Sequence, residues 1–367
     1  MDNWYYLMNG DEIVMLLRQA QDLDEMSYVE AERRSAYVPY GFTTPDAWIE
    51  SRQIAKHRKQ IYAMMQDWGL HRREGFIAFT HCASLTDSFW IKAADSDLTW
   101  KDVNLFENPF NEVVAHLAFD GAGLYGKNLY ATSPEFATSG SYEKCWRRTE
   151  QGIFLYKRGS SGAVNADAGM EPFSEKLTSD LLDAAGFAHV PYTLEKYHQK
   201  LASVCPLFTS EQSGFVSFAA FSQKDVVNPR EIMETIGRVA DEDRFREMVI
   251  ADAISLNVDR HQENYGFLIN NRTGAVEGFA PLFDHNLAQL PFLMQTDDVH
   301  EYLKGQGPRI GAEFVSIARA VLTPKYRSLL INLKDFEYAD PGFGFPSWKL
   351  DLLNRIKNEQ IDKILGK

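Results

Sequence analysis

The chain has 367 residues, a length that fits two domains or one large enzyme domain with an appendage. Its composition, 45% hydrophobic and 24% charged, is that of an ordinary globular protein and excludes disordered, collagenous and fibrous classes. The net charge of −13 repels a polyanionic backbone, so we expect no direct binding of nucleic acid.

The three cysteines, Cys82, Cys145 and Cys205, indicate a reducing compartment. They are odd in number, far apart and never in a CxxC pair, so neither a disulfide framework nor a cysteine zinc site is predicted. The first residues, MDNWYYLMNGDE, lack the pattern of a signal peptide, and no apolar run approaches the roughly 18 residues that span a bilayer. We therefore expect a cytoplasmic protein that does not act on a membrane.

Residues 1–85 are predicted to be mostly helical. The stretches EIVMLLRQAQDL and SRQIAKHRKQIYAMMQDWGL both place apolar residues at helical spacing. The segment from Phe89 to about Tyr130 is rich in aromatic residues, Asp and Asn, and is predicted to contain short strands and loops. This segment would join the first region to the next.

From Thr138 onward the pattern becomes that of an enzyme. TSGSYEK predicts a glycine turn and GIFLYKRG a strand. A helix is predicted to begin near Pro172 and to end at Gly186, because proline favours the first turn of a helix and glycine its end. Residues 187–222 are predicted to be rich in strands, and the remainder alternates helices with one hairpin.

The stretch FREMVIADAISLNVDRHQENYGFLINNRTGAVEGFAPLFDHN predicts a helix, a polar loop and a hairpin, in that order. The loop carries Asp259 and Asn264, and Asp284 follows the second strand of the hairpin. We expect these three side chains to lie close together at the same end of the hairpin. Asp252 faces the apolar side of the helix and is expected to be a buried group that hydrogen-bonds the loop.

Two carboxylates and one carboxamide form a donor set that suits Mg²⁺, a hard cation that prefers oxygen ligands. The spacing of Asp259 and Asn264 equals that of the protein-kinase catalytic loop. Taken singly, both residues are also typical of turns. Their occurrence together with Asp284 favours a phosphotransfer site.

These segments resemble a known family. SLNVDRHQENYGFLI followed by PLFDHN resembles the catalytic and metal-binding segments of HipA-like serine/threonine kinases, and DRHxxN is also similar to the lipid-kinase loop. Upstream, TSGSYEK resembles that family's phosphate-binding loop, GIFLYKRG its lysine strand, and SEKLTSDLLDAAGFAHVPYTL its helix C and following strand. The resemblance covers roughly residues 136–290.

The resemblance implies an α+β, two-lobed, protein-kinase-like fold with a mostly helical N-terminal extension and a helical C-lobe. The corresponding division of the chain is a region of unknown role over 1–85, a small β-rich N-lobe over 86–208 and a C-lobe over 209–367. The C-lobe would carry the catalytic loop and the metal-binding hairpin.

The resemblance also implies roles for individual residues. Asp259 would be the catalytic base, and Lys157, paired with Glu175, would bind the α- and β-phosphates of ATP. Asn264 and Asp284 would hold Mg²⁺ and so contact the nucleotide. The further residues expected in the ATP site are Ser139, Gly140, Ser141, Lys144, Cys205, Leu207 and His261.

Within that set, Ser139, Gly140 and Ser141 would form the phosphate loop, and Cys205 and Leu207 would approach adenine through their backbone. The family's autophosphorylated serine corresponds here to Ala137, so we expect no phosphorylation at that position, although Thr138 and Ser139 are near enough to substitute for it.

The function that the resemblance implies is ATP- and Mg²⁺-dependent phosphorylation of a protein serine or threonine. A small antitoxin-like protein is the partner that it implies, within a toxin–antitoxin system. A lipid or small-molecule kinase is an alternative, favoured by the Arg260-His261 pair, and a non-catalytic pseudokinase or regulator is another. Against a pseudokinase, the full set of implied catalytic residues is present.

Overall fold

The computed structural model describes residues 3–22, 25–53, 59–120, 132–138, 140, 142–160 and 169–367. Within these residues the fold is mixed α/β. The strands are β1 (Trp4–Asn9), β2 (Glu12–Asp22), β3 (Glu25–Arg33), β4 (Phe89–Ala93), β5 (Lys144–Thr149), β6 (Gly152–Arg158), β7 (Thr193–Tyr197), β8 (Lys200–Pro206), β9 (Ser213–Ser217), β10 (Gly266–Asn270) and β11 (Val276–Phe279).

The helices follow the same chain-order numbering. They are α1 (Pro45–Ser51), α2 (Lys59–Asp67), α3 (Arg73–Thr80), α4 (Trp100–Val103), α5 (Glu112–Asp120), α6 (Glu171–Ala185), α7 (Phe218–Ser222), α8 (Pro229–Gly237), α9 (Glu242–Ser255), α10 (Val299–Leu303), α11 (Phe314–Val321), α12 (Pro324–Leu333) and α13 (Ser347–Leu365). No helix in these described ranges is long and apolar enough to cross a membrane.

The N-terminal region begins with a sheet, so the prediction of a mostly helical region over 1–85 is wrong for its first part. Strands β1 to β4 are antiparallel and lie in the order β3-β2-β1-β4. The segment EIVMLLRQAQDL is the inner strand β2, in which Met15, Leu17 and Gln19 are buried and Arg18 is exposed. Burial of every second residue is the strand period, and pairing on both edges fixes β2 as extended chain.

Three helices, α1 to α3, lie between β3 and β4 in the chain. The helix predicted from the second periodic stretch is confirmed over Lys59–Asp67, whereas residues 54–58 of that stretch lie outside the described residues. The apolar faces of these three helices join the sheet in one core, in which Ile49, Trp68 and Phe76 pack with Leu17 and Ile91. The following segment holds the expected strand β4, but its later part contains the helices α4 and α5 rather than only strands and loops. Helix α5 has a run of buried Val, Ala, Leu and Phe residues. A short apolar run of this kind fits a buried helix and a buried strand equally well, so its sequence does not distinguish them.

The segments expected to carry the lysine and its partner acid form as predicted. GIFLYKRG is strand β6, in a four-stranded sheet of order β5-β6-β8-β7. Helix α6 has Pro172 in its first turn and ends at Gly186, whose φ of 68° is the left-handed conformation that glycine adopts without strain. The local signals at the two ends therefore located this helix correctly.

The helix, loop and hairpin of the catalytic-type segment also form as predicted. Helix α9 ends at Ser255, and Leu256 caps it with a φ of 56°. Strands β10 and β11 are neighbours in a three-stranded sheet of order β11-β10-β9. The turn between them is held by Asn270, whose side-chain oxygen accepts hydrogen bonds from the N–H groups of Arg272 and Thr273.

The described chain divides into two compact units. The first unit comprises 1–156, 207–216 and 268–277, and the second comprises 157–206, 217–267 and 278–367. Lys157, Glu175, Asp259, Asn264 and Asp284 all belong to the second unit. The division into three consecutive segments at residues 85 and 208 remains a prediction.

Candidate functional site

A buried ion-pair cluster brings together three of the predicted site residues. The Nζ atom of Lys157, on β6, lies 2.5 Å from Oε1 of Glu175 on α6 and 2.6 Å from Oδ1 of Asp284. The other carboxylate oxygen of Glu175 accepts a hydrogen bond of 2.8 Å from the N–H of His285. Glu175 therefore holds both the lysine and the segment that carries Asp284.

The environment keeps Lys157 positively charged. Burial alone lowers the pKa of a lysine, but attraction to Asp284 and Glu175 outweighs it and raises the pKa of Lys157 well above its ordinary value. Burial also raises the pKa of Glu175, and the nearby carboxylate of Asp284 acts in the same direction, whereas Lys157 opposes both. A fixed ammonium group at this position is suited to binding phosphate oxygens.

Asp284 has a backbone conformation that a non-glycine residue rarely adopts. Its φ is 58°, in the left-handed region where Asp and Asn are the commonest non-glycine residues. Its N–H donates to the hydroxyl oxygen of Tyr192, and its carboxylate binds Lys157. These contacts stabilise the turn, which directs the carboxylate toward the lysine.

The loop after α9 is organised around the backbone of Asp259. Its carbonyl oxygen accepts hydrogen bonds from the N–H of His261, at 2.8 Å, and from Nδ2 of Asn264, at 3.2 Å. Its N–H donates to the side-chain oxygen of Asn257. Asp259 and Asn264, five positions apart, therefore belong to one loop. The side chain of Asn264 closes this loop by binding the backbone of Asp259.

Arg260 connects this loop to the segment of Asp284, a role that the sequence pattern does not assign to it. Its guanidinium group is buried and forms a two-point ion pair with Asp252, with distances of 2.9 and 3.0 Å. Its Nη1 atom donates to the carbonyl oxygens of both Asn264 and Phe283. Because one nitrogen binds both carbonyls, the loop and the end of the hairpin are adjacent. Asp252 is buried and also accepts from Asn257, which confirms its expected place.

His285 is the fourth partner of Arg260. Its Nδ1 atom lies 3.0 Å from Nη2 of Arg260, which has only protons to donate, so Nδ1 is the acceptor. Burial lowers the pKa of His285 well below its ordinary value, and the charge of Arg260 lowers it further. A neutral His285 is therefore part of the framework that holds Asp284.

The donor set fits a magnesium ion bound together with phosphate. Nδ2 of Asn264 is engaged with the Asp259 carbonyl, and no described residue donates to its Oδ1 atom. Asp284 adds a carboxylate that is 28% exposed. No group of three or more His, Cys, Asp or Glu side chains among the described residues is placed to hold a metal. Mg²⁺ commonly takes only one or two protein ligands and completes its shell with water and phosphate oxygens.

The carboxylate of Asp259 is partly exposed and is bound by a residue that sequence reasoning missed. Nη2 of Arg309 lies 2.7 Å from Oδ1 of Asp259. The side chain of Arg309 is 59% exposed and that of Asp259 is 19% exposed. Arg309 lies 50 positions beyond Asp259, between Gly305 and Gly311, both of which have positive φ. No motif covers that segment, so the sequence offered no signal for the contact.

The predicted phosphate loop is described only in part, because Ser139 and Ser141 lie outside the described residues. Gly140 is exposed, and its φ of 88° is a left-handed conformation that residues with a side chain rarely adopt, so glycine is favoured at this turn. The Nζ atom of Lys144 lies beside it. Both residues belong to the first unit, and their binding of phosphate remains a prediction.

The remaining expected contacts are those of the adenine segment and of His261. Cys205 is buried in β8, and burial raises the pKa of its thiol to about 12. The N–H of Leu207 donates to the carbonyl of Ile153, and the contacts of Cys205 and Leu207 with adenine remain predictions. The Nδ1 atom of His261 accepts from the N–H of Glu263, and the contact of His261 with the nucleotide remains a prediction.

No protein-family model and no curated protein matches the sequence. Among solved structures, the chain is similar to Shewanella oneidensis MR-1 HipA, from a toxin–antitoxin complex with HipB and operator DNA. The TM-score is 0.51 and the identity 10%, over 99% of this chain and 97% of that chain. It is also similar to the Helicobacter pylori proinflammatory kinase CtkA, with a TM-score of 0.44 and 18% identity, over 61% of this chain and 91% of that one. The likeness to HipA extends over almost all of both chains, so this chain has a mixed α/β, HipA-like kinase fold.

Proposed function

We propose that this protein is an ATP- and Mg²⁺-dependent phosphotransferase that acts on a serine or threonine hydroxyl of another protein. The observation that carries the proposal is the buried contact of Lys157 with both Glu175 and Asp284. In kinases the lysine, its glutamate and the metal-binding aspartate must all be in place for transfer. Here one ammonium group holds both acids.

The chemistry follows from the residues of the second unit. The carboxylate of Asp259 accepts the proton of the acceptor hydroxyl while the oxygen of that hydroxyl forms a bond to the γ-phosphorus of ATP. The bond from that phosphorus to the bridging oxygen breaks, and ADP leaves with the electron pair. Lys157 binds the α- and β-phosphates and orients the nucleotide. Asn264 and Asp284 would hold Mg²⁺, which when bound would neutralise the charge of the phosphates.

The toxin role is the more specific part of the proposal. HipA of Shewanella oneidensis is found in a complex with HipB and operator DNA, and its fold spans this chain. A small antitoxin-like partner is proposed here on that similarity. Induced expression of the wild type would arrest growth, whereas expression of the Asp259→Asn variant would not.

The test of the phosphotransferase is incubation of the full chain with Mg²⁺ and γ-labelled ATP, followed by mass spectrometry and measurement of ATP hydrolysis. We expect Asp259→Asn to lower turnover at least about 100-fold, because it removes the proton acceptor. Asp351→Asn is the matched control, since Asp351 is exposed on α13. It should keep wild-type turnover.

Three outcomes separate the alternatives. Label on serine or threonine with the wild type and with Asp351→Asn, but not with Asp259→Asn, supports a protein kinase. A thermal shift by ATP and Mg²⁺ with neither label nor hydrolysis would favour a nucleotide-binding regulator. Equal turnover by Asp259→Asn would overturn the assignment of the base.

A further inference from the structure

A cavity of about 810 Å³ lies within the second unit, beside the candidate base. One wall is the segment after α7, which includes Lys224 and Val227, and another is the turn 260–263 of the loop. Arg309 belongs to a third wall and also binds the carboxylate of Asp259. A molecule in this cavity would therefore contact Arg309, the residue that holds the carboxylate of the proposed base.

The walls of the cavity are joined by direct hydrogen bonds. Nε2 of Gln262, in the loop, donates to Oδ1 of Asp225 at 3.0 Å and to the carbonyl of Val226 at 2.9 Å. The position of the first wall is thus coupled to the catalytic-type loop. The cavity is built from the same framework as Asp259 and is not an unrelated surface hollow.

The charges around the cavity are mixed. Arg260 is neutralised by its buried ion pair with Asp252, and Arg309 is paired with Asp259. Asp225 and Glu263 add negative charge. Lys224 is exposed, and no described residue forms an ion pair with its ammonium group.

Apolar surface completes the lining. Val227 is 61% exposed, one of the most exposed large hydrophobic residues in the described chain, and Ile310, next to Arg309 in the third wall, is buried. A headgroup that carries several phosphates needs a cluster of unpaired cations. One unpaired lysine beside an exposed valine fits instead a peptide that has both an apolar and an acidic side chain.

We infer that this cavity binds the acceptor segment of a protein substrate, and that Lys224 selects an acidic residue near the phosphorylated serine or threonine. The inference rests on the proposed phosphotransferase function and adds its acceptor site and substrate class. Lys224 acts as a specificity residue that touches the acceptor, while Arg309 orients the carboxylate of Asp259 at the end of the same cavity.

The test is a set of serine peptides that differ only in carrying Glu or Lys at each position flanking the serine, incubated with the full chain, Mg²⁺ and γ-labelled ATP. We expect the wild type to label the best Glu peptide about tenfold faster than its Lys counterpart, because one pairs with Lys224 and the other is repelled. Lys224→Glu should reverse this preference. Lys196→Glu, at another exposed lysine, which lies on β7 and does not line the cavity, should keep it.

The same experiment separates failure of this inference from failure of the proposed function. Hydrolysis of ATP by the wild type without a preference for Glu peptides, or an unchanged preference in Lys224→Glu, would overturn the acceptor site and leave phosphotransfer intact. Labelling of phosphatidylinositol phosphate vesicles but of no peptide would also overturn the peptide acceptor site, and it would favour a lipid acceptor. Absence of both ATP hydrolysis and label would overturn the proposed function and the inference with it.

Discussion

Arg260 is the residue on which the geometry of the site depends most. It joins α9, the catalytic-type loop and the segment of Asp284 through hydrogen bonds to Asp252, Asn264, Phe283 and His285. The sequence pattern marks the neighbours of Arg260 as functional, but it gives no reason to place a buried guanidinium group at the centre. Planar donors at fixed angles are what let one side chain bind several acceptors at once.

We expect Arg260→Lys to lower the free energy of unfolding by about 3 kcal/mol, because a lysine keeps the charge but cannot reproduce the two-point contact with buried Asp252. Chemical denaturation of the purified variant measures this change. The same substitution at Arg230, which is exposed at the start of α8, is the control and should change stability by less than about 0.5 kcal/mol. Equal effects at the two positions would contradict the role of Arg260.

The contacts of Asp259 mark the limit of what the sequence could predict at the residue scale. Asp259 and Asn264 were recognised because both lie within one short loop whose spacing is fixed by a local hydrogen bond. Arg309 was not recognised, because its contact with Asp259 joins segments that are distant in sequence. Spacing motifs detect contacts within one short segment and not contacts between segments that are distant in sequence.

At the scale of elements, local signals were reliable where a helix or turn has a chemical boundary. Pro172 and Gly186 delimit α6, and the Asn-rich turn delimits the hairpin of β10 and β11. They failed for β2, whose apolar run from Ile13 to Leu17 fits either a buried helix or a buried strand. Pairing with strands on both sides decided the outcome, and that pairing is a tertiary effect.

The end of α12 depends on a buried lysine of α13. Nζ of Lys357 donates to the carbonyl oxygens of Leu333, Lys334 and Phe336, and the last carbonyls of a helix have no partner within the helix itself. Lys357 is thus a cap supplied by one helix to another. The contact also fixes how α12 packs against α13.

We expect Lys357→Met to lower the free energy of unfolding by about 2 kcal/mol, because it leaves buried carbonyl groups without donors while preserving most of the side-chain volume. Thermal or chemical unfolding measures the change. Lys363→Met, at an exposed position of the same helix, is the control. A stability change at Lys357 no larger than at Lys363 would refute the capping role.

At the scale of the whole molecule, the tryptophans allow one unit to be observed separately. Six of the seven, at positions 4, 48, 68, 90, 100 and 146, belong to the first unit, and Trp348 alone belongs to the second. Intrinsic fluorescence therefore reports mainly on the first unit. Its unfolding can be followed in the full chain.

The stability of the first unit should depend on pH through His81. Burial lowers the pKa of His81 below its ordinary value of 6.5, although a hydrogen bond from Nδ1 to the carbonyl of Ile91 opposes this. Below pH 6.5 the unfolded chain binds a proton there more readily than the folded chain, so stability falls as the pH is lowered. The slope from this residue reaches at most about 1.4 kcal/mol per pH unit.

Denaturation followed by tryptophan fluorescence between pH 7.0 and pH 5.5 tests this prediction. We expect His81→Asn to lose part of the slope, and asparagine is suited to the φ of 51° at that position. His71→Asn, which lies on the exposed surface between α2 and α3, is the control and should keep the wild-type slope. Identical slopes for the wild type and His81→Asn would contradict the assignment.

The sequence by itself determined the elements of the candidate site, whereas the chemistry proposed for them remains a prediction. The helix, loop and hairpin, the lysine strand and the helix of Glu175 are each defined by residues close together in the chain, so their local signals suffice. Only the tertiary structure decided that Lys157 binds two acids, that Arg260 connects the loop to Asp284, and that the first residues form a sheet. Those features depend on contacts between distant segments, and burial gives them their strength.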